Sequence, residues 1–232
     1  MDIRNNTKYR NEIKYICSEQ QLQLIEHRIS KLCKKDTHAG ADGTYTVRSL
    51  YFDDYHNSCM KENESGVNAR EKFRIRIYNG NTERITLECK QKLNGKNHKE
   101  SCALTKEQCQ EILQGVCKMP ENPSPLFRKF YLQYHTRVLR PKVIVQYDRT
   151  PFVYKAGNVR ITCDRNISGT ENVKLFLEKE IPVRPVMEKD SHVLEVKYDE
   201  FLPDFVKSTV QIKNLNQTAF SKYYMCRKFK LS

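Results

Sequence analysis

Lys72-Phe73-Arg74-Ile75-Arg76-Ile77-Tyr78 alternates basic and apolar side chains along its length. Because successive residues of a β-strand point to opposite faces of the sheet, this alternation predicts a strand with one cationic and one apolar face. Asn79-Gly80 follows directly, and this dipeptide accepts the positive φ angles of a two-residue hairpin turn. The next β-rich run, 84–92, is therefore predicted to pair with it as an antiparallel hairpin.

Other runs rich in β-branched and aromatic residues predict more short strands, and Asn94-Gly95 predicts a second tight turn. The predicted strands are 9–16, 45–52, 72–78, 84–92, 142–149, 158–164 and 192–198. Capping signals before apolar residues at helical spacing predict helices after Ser18 and Thr105, from Leu126 to Leu139, and from Pro203. Without a repeat or a long linker, residues 1–232 are predicted to form one domain.

Charged residues gather on one face of several predicted strands. Besides those quoted above, these faces carry Arg10, Glu12, Lys14, Glu88, Lys90, Lys92, Arg160, Asp164, Glu195 and Lys197. A sheet with one face in water is the commonest source of such alternation. Several of these positions carry arginine, whereas a face in water usually carries lysine. Because guanidinium groups bind phosphate in a bidentate manner, this choice favours faces that meet in a shared phosphate-binding interior. We therefore expect an α+β fold with a closed antiparallel eight-stranded β-barrel and helices packed on its outside.

The composition also calls for an anionic partner. The chain of 232 residues has a formal net charge of +13, for which nucleic acid, anionic lipid and polyphosphate are all candidate partners. No apolar run approaches the roughly 20 residues of a membrane span, and residues 1–20 lack the apolar core of a signal peptide, so a cytoplasmic location is expected. Nine cysteines without a CxxC pair argue against disulfides and zinc, and they are predicted to be reduced core residues.

Eight blocks of sequence resemble, in order, motifs of the catalytic domain of the vacuolar transporter chaperone (VTC) family. They are 10–15 (RNEIKY), 49–53 (SLYFD), 66–78 (GVNAREKFRIRIY), 87–90 (LECK), 147–149 (YDR), 159–164 (VRITCD), 194–198 (LEVKY) and 220–223 (FSKY). That domain is a polyphosphate polymerase among the triphosphate tunnel metalloenzymes, whose antiparallel barrel forms a basic tunnel. The resemblance therefore implies the same closed fold.

The resemblance also implies roles for individual residues. Phosphate-binding roles fall on Lys14, Arg74, Arg76, Lys90, Arg149, Arg160, Lys197 and Lys222. Catalytic roles among these fall on Arg74, Arg76, Lys90, Arg160 and Lys222. Glu195 is expected to hold the divalent metal, Mn²⁺ or Mg²⁺. Glu12, Glu88 and Asp164 would assist the metal or orient the cations, with simple pairing to neighbouring Lys or Arg as the open alternative.

The function implied is transfer of the γ-phosphoryl group of ATP onto a growing inorganic polyphosphate chain. A tunnel hydrolase of tripolyphosphate or nucleoside triphosphate is the nearest alternative, but its ExExK strand is altered here because Arg10 occupies the first Glu position. A non-catalytic polyphosphate-binding module is a further alternative. No nucleic acid is expected, since no RNP, KH or zinc-finger motif occurs. Membrane helices found in eukaryotic relatives are not predicted, so coupling to transport would need a separate membrane partner.

Overall fold

A computed structural model describes residues 9–36, 40, 42–212 and 215–229, and its strands join into one antiparallel sheet. Each strand pair is antiparallel, as the hairpin signals predicted. The strands are β1 (Asn11–Ser18), β2 (Lys34–Lys35), β3 (Tyr45–Asp53), β4 (Arg70–Tyr78), β5 (Asn81–Leu93), β6 (Lys96–Leu104), β7 (Arg140–Tyr154), β8 (Val159–Thr170), β9 (Arg184–Pro185) and β10 (Ser191–Tyr198).

Six α-helices occur in the described residues. They are α1 (Glu19–Ser30), α2 (Ser58–Glu64), α3 (Lys106–Leu113), α4 (Pro125–Thr136), α5 (Asp204–Val210) and α6 (Lys222–Lys228). The two predicted capping boxes are present: Ser18 Oγ accepts from the N–H of Gln21, and Thr105 caps α3 in the same way. The short helices α2 and α6 were not predicted, because two turns of helix leave little periodic pattern in the sequence.

Two tight turns place β4, β5 and β6 side by side. Asn79 and Gly80 have φ of 51° and 65°, and Asn94 and Gly95 have φ of 49° and 77°, as type I′ hairpins require. The strand β6 was not predicted, because its polar sequence KNHKESCAL has little β propensity of its own. Pairing with β5 along its whole length makes it a strand nevertheless.

The sheet is strongly curled but does not close, so the prediction of a closed eight-stranded barrel is wrong. The hydrogen-bonded path runs β1-β10-β8-β7-β3-β4-β5-β6 and leaves β1 and β6 as edges. Among the described residues, the backbone pairing between these edges is an isolated bridge between Arg10 and Asn97, whose N···O distances are 2.8 and 2.9 Å. Further along, Gln217 bridges Tyr15, and the N–H of Thr218 donates to the carbonyl of Lys14 at 2.9 Å. The segment around Gln217 thus uses backbone hydrogen-bonding groups of β1 that β6 would need in order to close the barrel.

Apolar side chains cover the outer face of the sheet. Phe73, Ile75 and Ile77 pack under α3 and α4, where Phe130 is fully buried. Complete burial of such a side chain contributes roughly 1.5–3 kcal/mol. A second cluster lies between α1, α5 and the outer faces of β8 and β10. The amphipathic helices therefore hold the alternating strands with their charged faces turned inward.

A third apolar cluster lies inside the curl and fills part of it. Val47 of β3 and Val145 of β7 meet Phe220, Tyr223 and Cys226 around α6. The remaining interior carries the polar side chains. The described residues contain no helix long and apolar enough to cross a membrane. All nine cysteines are free and seven are buried, as predicted.

Candidate active site

The inner face of the curled sheet surrounds a cavity of about 1030 Å³. Thirteen Lys and Arg side chains line it, against two glutamates. All eight residues to which phosphate binding was assigned are among them: Lys14, Arg74, Arg76, Lys90, Arg149, Arg160, Lys197 and Lys222. Five further lining cations received no role from the sequence: Arg10, Arg70, Lys72, Lys92 and Lys99. The alternation of charged and apolar residues could have indicated three of them, because Arg10, Lys72 and Lys92 lie on the charged faces of predicted strands.

Glu88 of β5 holds the guanidinium groups of β4 in place. Its Oε2 lies 2.6 Å from Arg74 Nη2 and 3.7 Å from Arg76 Nη1, while its Oε1 lies 2.9 Å from Lys99 Nζ. Burial alone would raise the pKa of Glu88, but the charges of Arg74, Arg76 and Lys99 outweigh burial and lower it. Glu88 is therefore an ionised partner that orients the two arginines.

Tyrosine and serine hydroxyls of β3 complete the support of the arginines. Arg74 Nη1 donates to Tyr51 Oη at 2.9 Å, and Arg76 Nε donates to Ser49 Oγ at 3.0 Å. On the same wall, Arg160 Nη2 donates to Tyr45 Oη at 3.1 Å. These hydroxyls were missed by the sequence analysis, although Tyr45, Ser49 and Tyr51 recur with the period of one strand face.

Asp164 of β8 connects two assigned cations. It accepts from Arg149 Nε at 2.7 Å and from Arg149 Nη2 at 2.8 Å, and its Oδ2 lies 2.6 Å from Lys222 Nζ. Burial acts to raise the pKa of Asp164, and the adjacent Arg149 and Lys222 charges lower it. With both oxygens engaged, Asp164 tethers α6 to the wall of the cavity.

Glu12 and Glu195 are the two carboxylates that line the cavity. Lys90 Nζ lies 2.8 Å from Glu12 Oε2, and Lys197 Nζ lies 2.7 Å from Glu195 Oε1 and 3.7 Å from Glu12 Oε2. Burial opposes ionisation of both glutamates, but nearby lysines, including Lys14, lower the pKa of each. Both therefore carry negative charge at neutral pH.

A divalent metal, which the resemblance implies, would have to be held by this pair. Within the residues that the structure describes, no three His, Cys, Asp or Glu side chains group closely enough to form a metal cage. Mg²⁺ commonly takes one or two carboxylates and completes its shell with water and substrate phosphate oxygens. Glu12 and Glu195 would be the residues to hold such an ion, because both are ionised and they are the two carboxylates of the described lining, although Lys90 and Lys197 already pair with them.

Fold and site together define a tunnel-type protein, in which a curled antiparallel sheet surrounds a basic cavity. The chain belongs to the VTC domain family, whose sequence profile matches residues 9–230. The match confirms the resemblance carried by the eight sequence blocks.

Solved structures with the same fold are similar over most of the chain. A proposed adenylyl cyclase from Hippeastrum, described as having a dominant triphosphatase activity, has a TM-score of 0.54 and 16% identity over 96% of this chain and 97% of that one. A proposed adenylate cyclase from Bacillus halodurans has a TM-score of 0.51 and 14% identity over 87% of this chain and 86% of that one. No curated protein sequence matches this chain.

Proposed function

We propose that the protein is a polyphosphate polymerase that transfers the γ-phosphoryl group of ATP onto the end of an inorganic polyphosphate chain. The observation that carries the proposal is the lining of the cavity, with thirteen Lys and Arg side chains against two glutamates. Ten of these cations pair with carboxylates, but only six carboxylates serve all ten, so positive charge remains in excess and favours bound anions. A linear chain of phosphates supplies closely spaced negative charge that matches the cationic lining of the cavity.

The guanidinium groups of the lining are held in fixed orientations that favour phosphate binding. Arg76 and Arg149 are almost fully buried, and both are fixed by hydrogen bonds before any ligand arrives. A preorganised guanidinium fork binds two phosphate oxygens without losing much side-chain freedom. Single-stranded nucleic acid would instead require exposed aromatic platforms. Tyr45 and Tyr51 of this wall are buried and engaged with arginine, so ATP and polyphosphate are the proposed ligands.

Transfer to a phosphate acceptor needs little besides positioning and charge. In our mechanism Arg74 and Arg76 hold the transferring γ-phosphoryl and stabilise the charge on its equatorial oxygens. The acceptor is the terminal oxygen of the chain, which is already ionised and requires no general base. It bonds to the γ-phosphorus as the bond from that phosphorus to the bridging oxygen breaks, and ADP leaves with the bridging oxygen. A protein nucleophile is likewise not needed. The described lining contains no cysteine, and its Ser221 Oγ contacts Lys72 rather than a histidine that could act as a base. A divalent cation bound by Glu195 and Glu12 would neutralise charge between the phosphates.

The carboxylate count favours transfer over hydrolysis. Arg10 stands where the hydrolase pattern has its first Glu, and it pairs with Asp199 at 2.8 Å. Only Glu12 and Glu195 remain in the lining, which suits a single metal better than the two-metal arrangement that activates water.

The test is to incubate the purified chain with ATP and Mn²⁺ or Mg²⁺ and to measure long phosphate chains by gel staining, together with ADP and free phosphate. Long chains formed in proportion to ADP support the polymerase. Free phosphate released in proportion to ADP, without chains, would establish the hydrolase in its place. Binding of polyphosphate without turnover of ATP would leave only the binding module.

A further inference from the structure

Three of the thirteen lining cations have no carboxylate partner in the described part of the chain. Ten make ion pairs with Asp or Glu within 4 Å, including Arg10 with Asp199 and Arg160 with Asp36. The exceptions are Arg70, Lys72 and Lys92, all on the hairpin of β4 and β5. The cavity therefore has a neutralised part and an unneutralised part.

The three cations lie close together by the register of the hairpin. Arg70 stands directly opposite Lys92, and Lys72 stands directly opposite Lys90, on the same face of the sheet. Like charges facing each other across two strands destabilise a sheet. Burial is the largest influence that lowers the pKa of Lys72, to about 8, and the charges of Lys14 and Arg70 act in the same direction.

The polar contacts of Lys72 and Arg70 are with neutral groups. Lys72 Nζ lies 3.4 Å from Ser221 Oγ and 5.2 Å from the centroid of the Tyr223 ring. Arg70 Nη1 donates to the backbone carbonyls of Glu62 and Val67 at 3.4 and 3.0 Å. These contacts orient the cations without placing a carboxylate within ion-pair distance, and only the more distant Glu62 and Glu12 carboxylates act on Arg70 and Lys92. An anionic ligand is the natural source of the missing charge.

The spacing along β4 shows which ligand could reach this cluster. Two residues of a strand span roughly 6.6 Å, so Arg70 lies roughly 20 Å along the strand from Arg76. The triphosphate of one nucleotide is shorter than that distance. A longer phosphate chain bound at Arg74 and Arg76 would extend along the same strand face to Lys72 and Arg70.

We propose that Arg70, Lys72 and Lys92 form a second phosphate subsite, which holds the acceptor polyphosphate chain while the γ-phosphoryl group of ATP occupies the cluster at Arg74 and Arg76. The subsite rests on the proposed function for the identity of its ligand. Its cations lack internal partners because the acceptor chain supplies their counter-charge. The paired cations of the deeper cluster remain oriented when no chain is bound.

Equilibrium binding of ATP and of long-chain polyphosphate to the full chain tests the subsite. The variants are Lys72→Met and Lys92→Gln, with Lys207→Met as a control that removes one exposed charge from α5, away from the cavity. Loss of a charge-assisted contact should weaken long-chain binding about tenfold or more. ATP binding should change less than about twofold, and the control should change neither ligand by more than that. Equal weakening of ATP and long-chain binding, or unchanged long-chain binding, overturns the subsite.

Thermal unfolding separates this subsite from a structural role. Lys92→Gln removes one member of a like-charged pair, so the midpoint of the ligand-free protein should rise, while the increase produced by long-chain polyphosphate should shrink. A lower ligand-free midpoint would contradict the uncompensated repulsion on which the subsite rests. If the wild type makes no polyphosphate from ATP but long-chain binding depends on Lys72 and Lys92, the subsite stands and the polymerase fails.

Discussion

Replacing Glu88 with glutamine tests whether this carboxylate organises the cationic cluster. The substitution keeps the shape of a side chain that is 2% exposed and removes the charge facing Arg74, Arg76 and Lys99. Breaking a buried ion pair by neutralising one partner costs about 3–5 kcal/mol, because the remaining charges stay buried without compensation. In a protein of this size, each kcal/mol moves the unfolding midpoint by about 2–4 °C. Glu88→Gln should therefore lower the midpoint by about 6–20 °C.

Differential scanning calorimetry at neutral pH measures this shift. Glu111→Gln is the matched control, because Glu111 pairs with Lys118 at 2.5 Å in a solvent-exposed ion pair. An exposed pair contributes at most about 1 kcal/mol, so the control should shift the midpoint by no more than about 2–4 °C. Equal midpoints for Glu88→Gln and the wild type would refute the organising role of Glu88.

Ligand and pH give two further arms of the same experiment. Polyphosphate should raise the midpoint of Glu88→Gln more than that of the wild type, because the released Arg74 and Lys99 gain an anionic partner. The folded-state pKa of Glu88 is lowered, so its stabilisation is present above the ordinary value of 4.5 and is lost as pH falls further. The gap between variant and wild type should thus narrow below about pH 4.5.

Three other perturbations probe separate parts of the molecule. Arg76→Ala should reduce kcat for polyphosphate synthesis about a hundredfold, the effect of losing one oxyanion-type donor, and turnover at the wild-type rate would exclude its assigned role. The affinity of the wild type for long-chain polyphosphate should fall as pH rises through about 8, where Lys72 loses its proton. The affinity of Lys72→Met should depend less on pH, and identical pH profiles for the two proteins would count against the subsite. Arg48 donates to the carbonyls of Phe176, Glu178 and Lys179 on the outer side of the sheet. Arg48→Met should therefore lower the free energy of unfolding by about 1–3 kcal/mol in urea titrations, while phosphate binding stays unchanged.

Several parts of the fold could be predicted because they depend on neighbouring residues alone. The alternation in β4 assigns Arg74 and Arg76 to one face and Ile75 to the other, whatever the strand pairs with. Asn79-Gly80 specifies its turn through the φ angles that those residues accept. The same holds for the capping box at Ser18. The cationic strand faces that carry Lys14, Arg74, Arg76, Lys90, Arg160 and Lys197 were therefore visible in the sequence, whereas Arg149 and Lys222 were assigned only through the family resemblance.

The tertiary structure decided which charges meet and whether the sheet closes. Periodicity does not specify the curl that brings β1 and β10 to face β4 and β5, so the partners of Glu12, Glu88 and Asp164 were open until distant strands were placed. The segment at Gln217 takes the edge of β1 through contacts roughly 200 residues apart in sequence, beyond the reach of any local pattern. The alternation of apolar and charged residues along a strand determines which side chains share a face. Long-range packing determines which residues of other strands that face contacts.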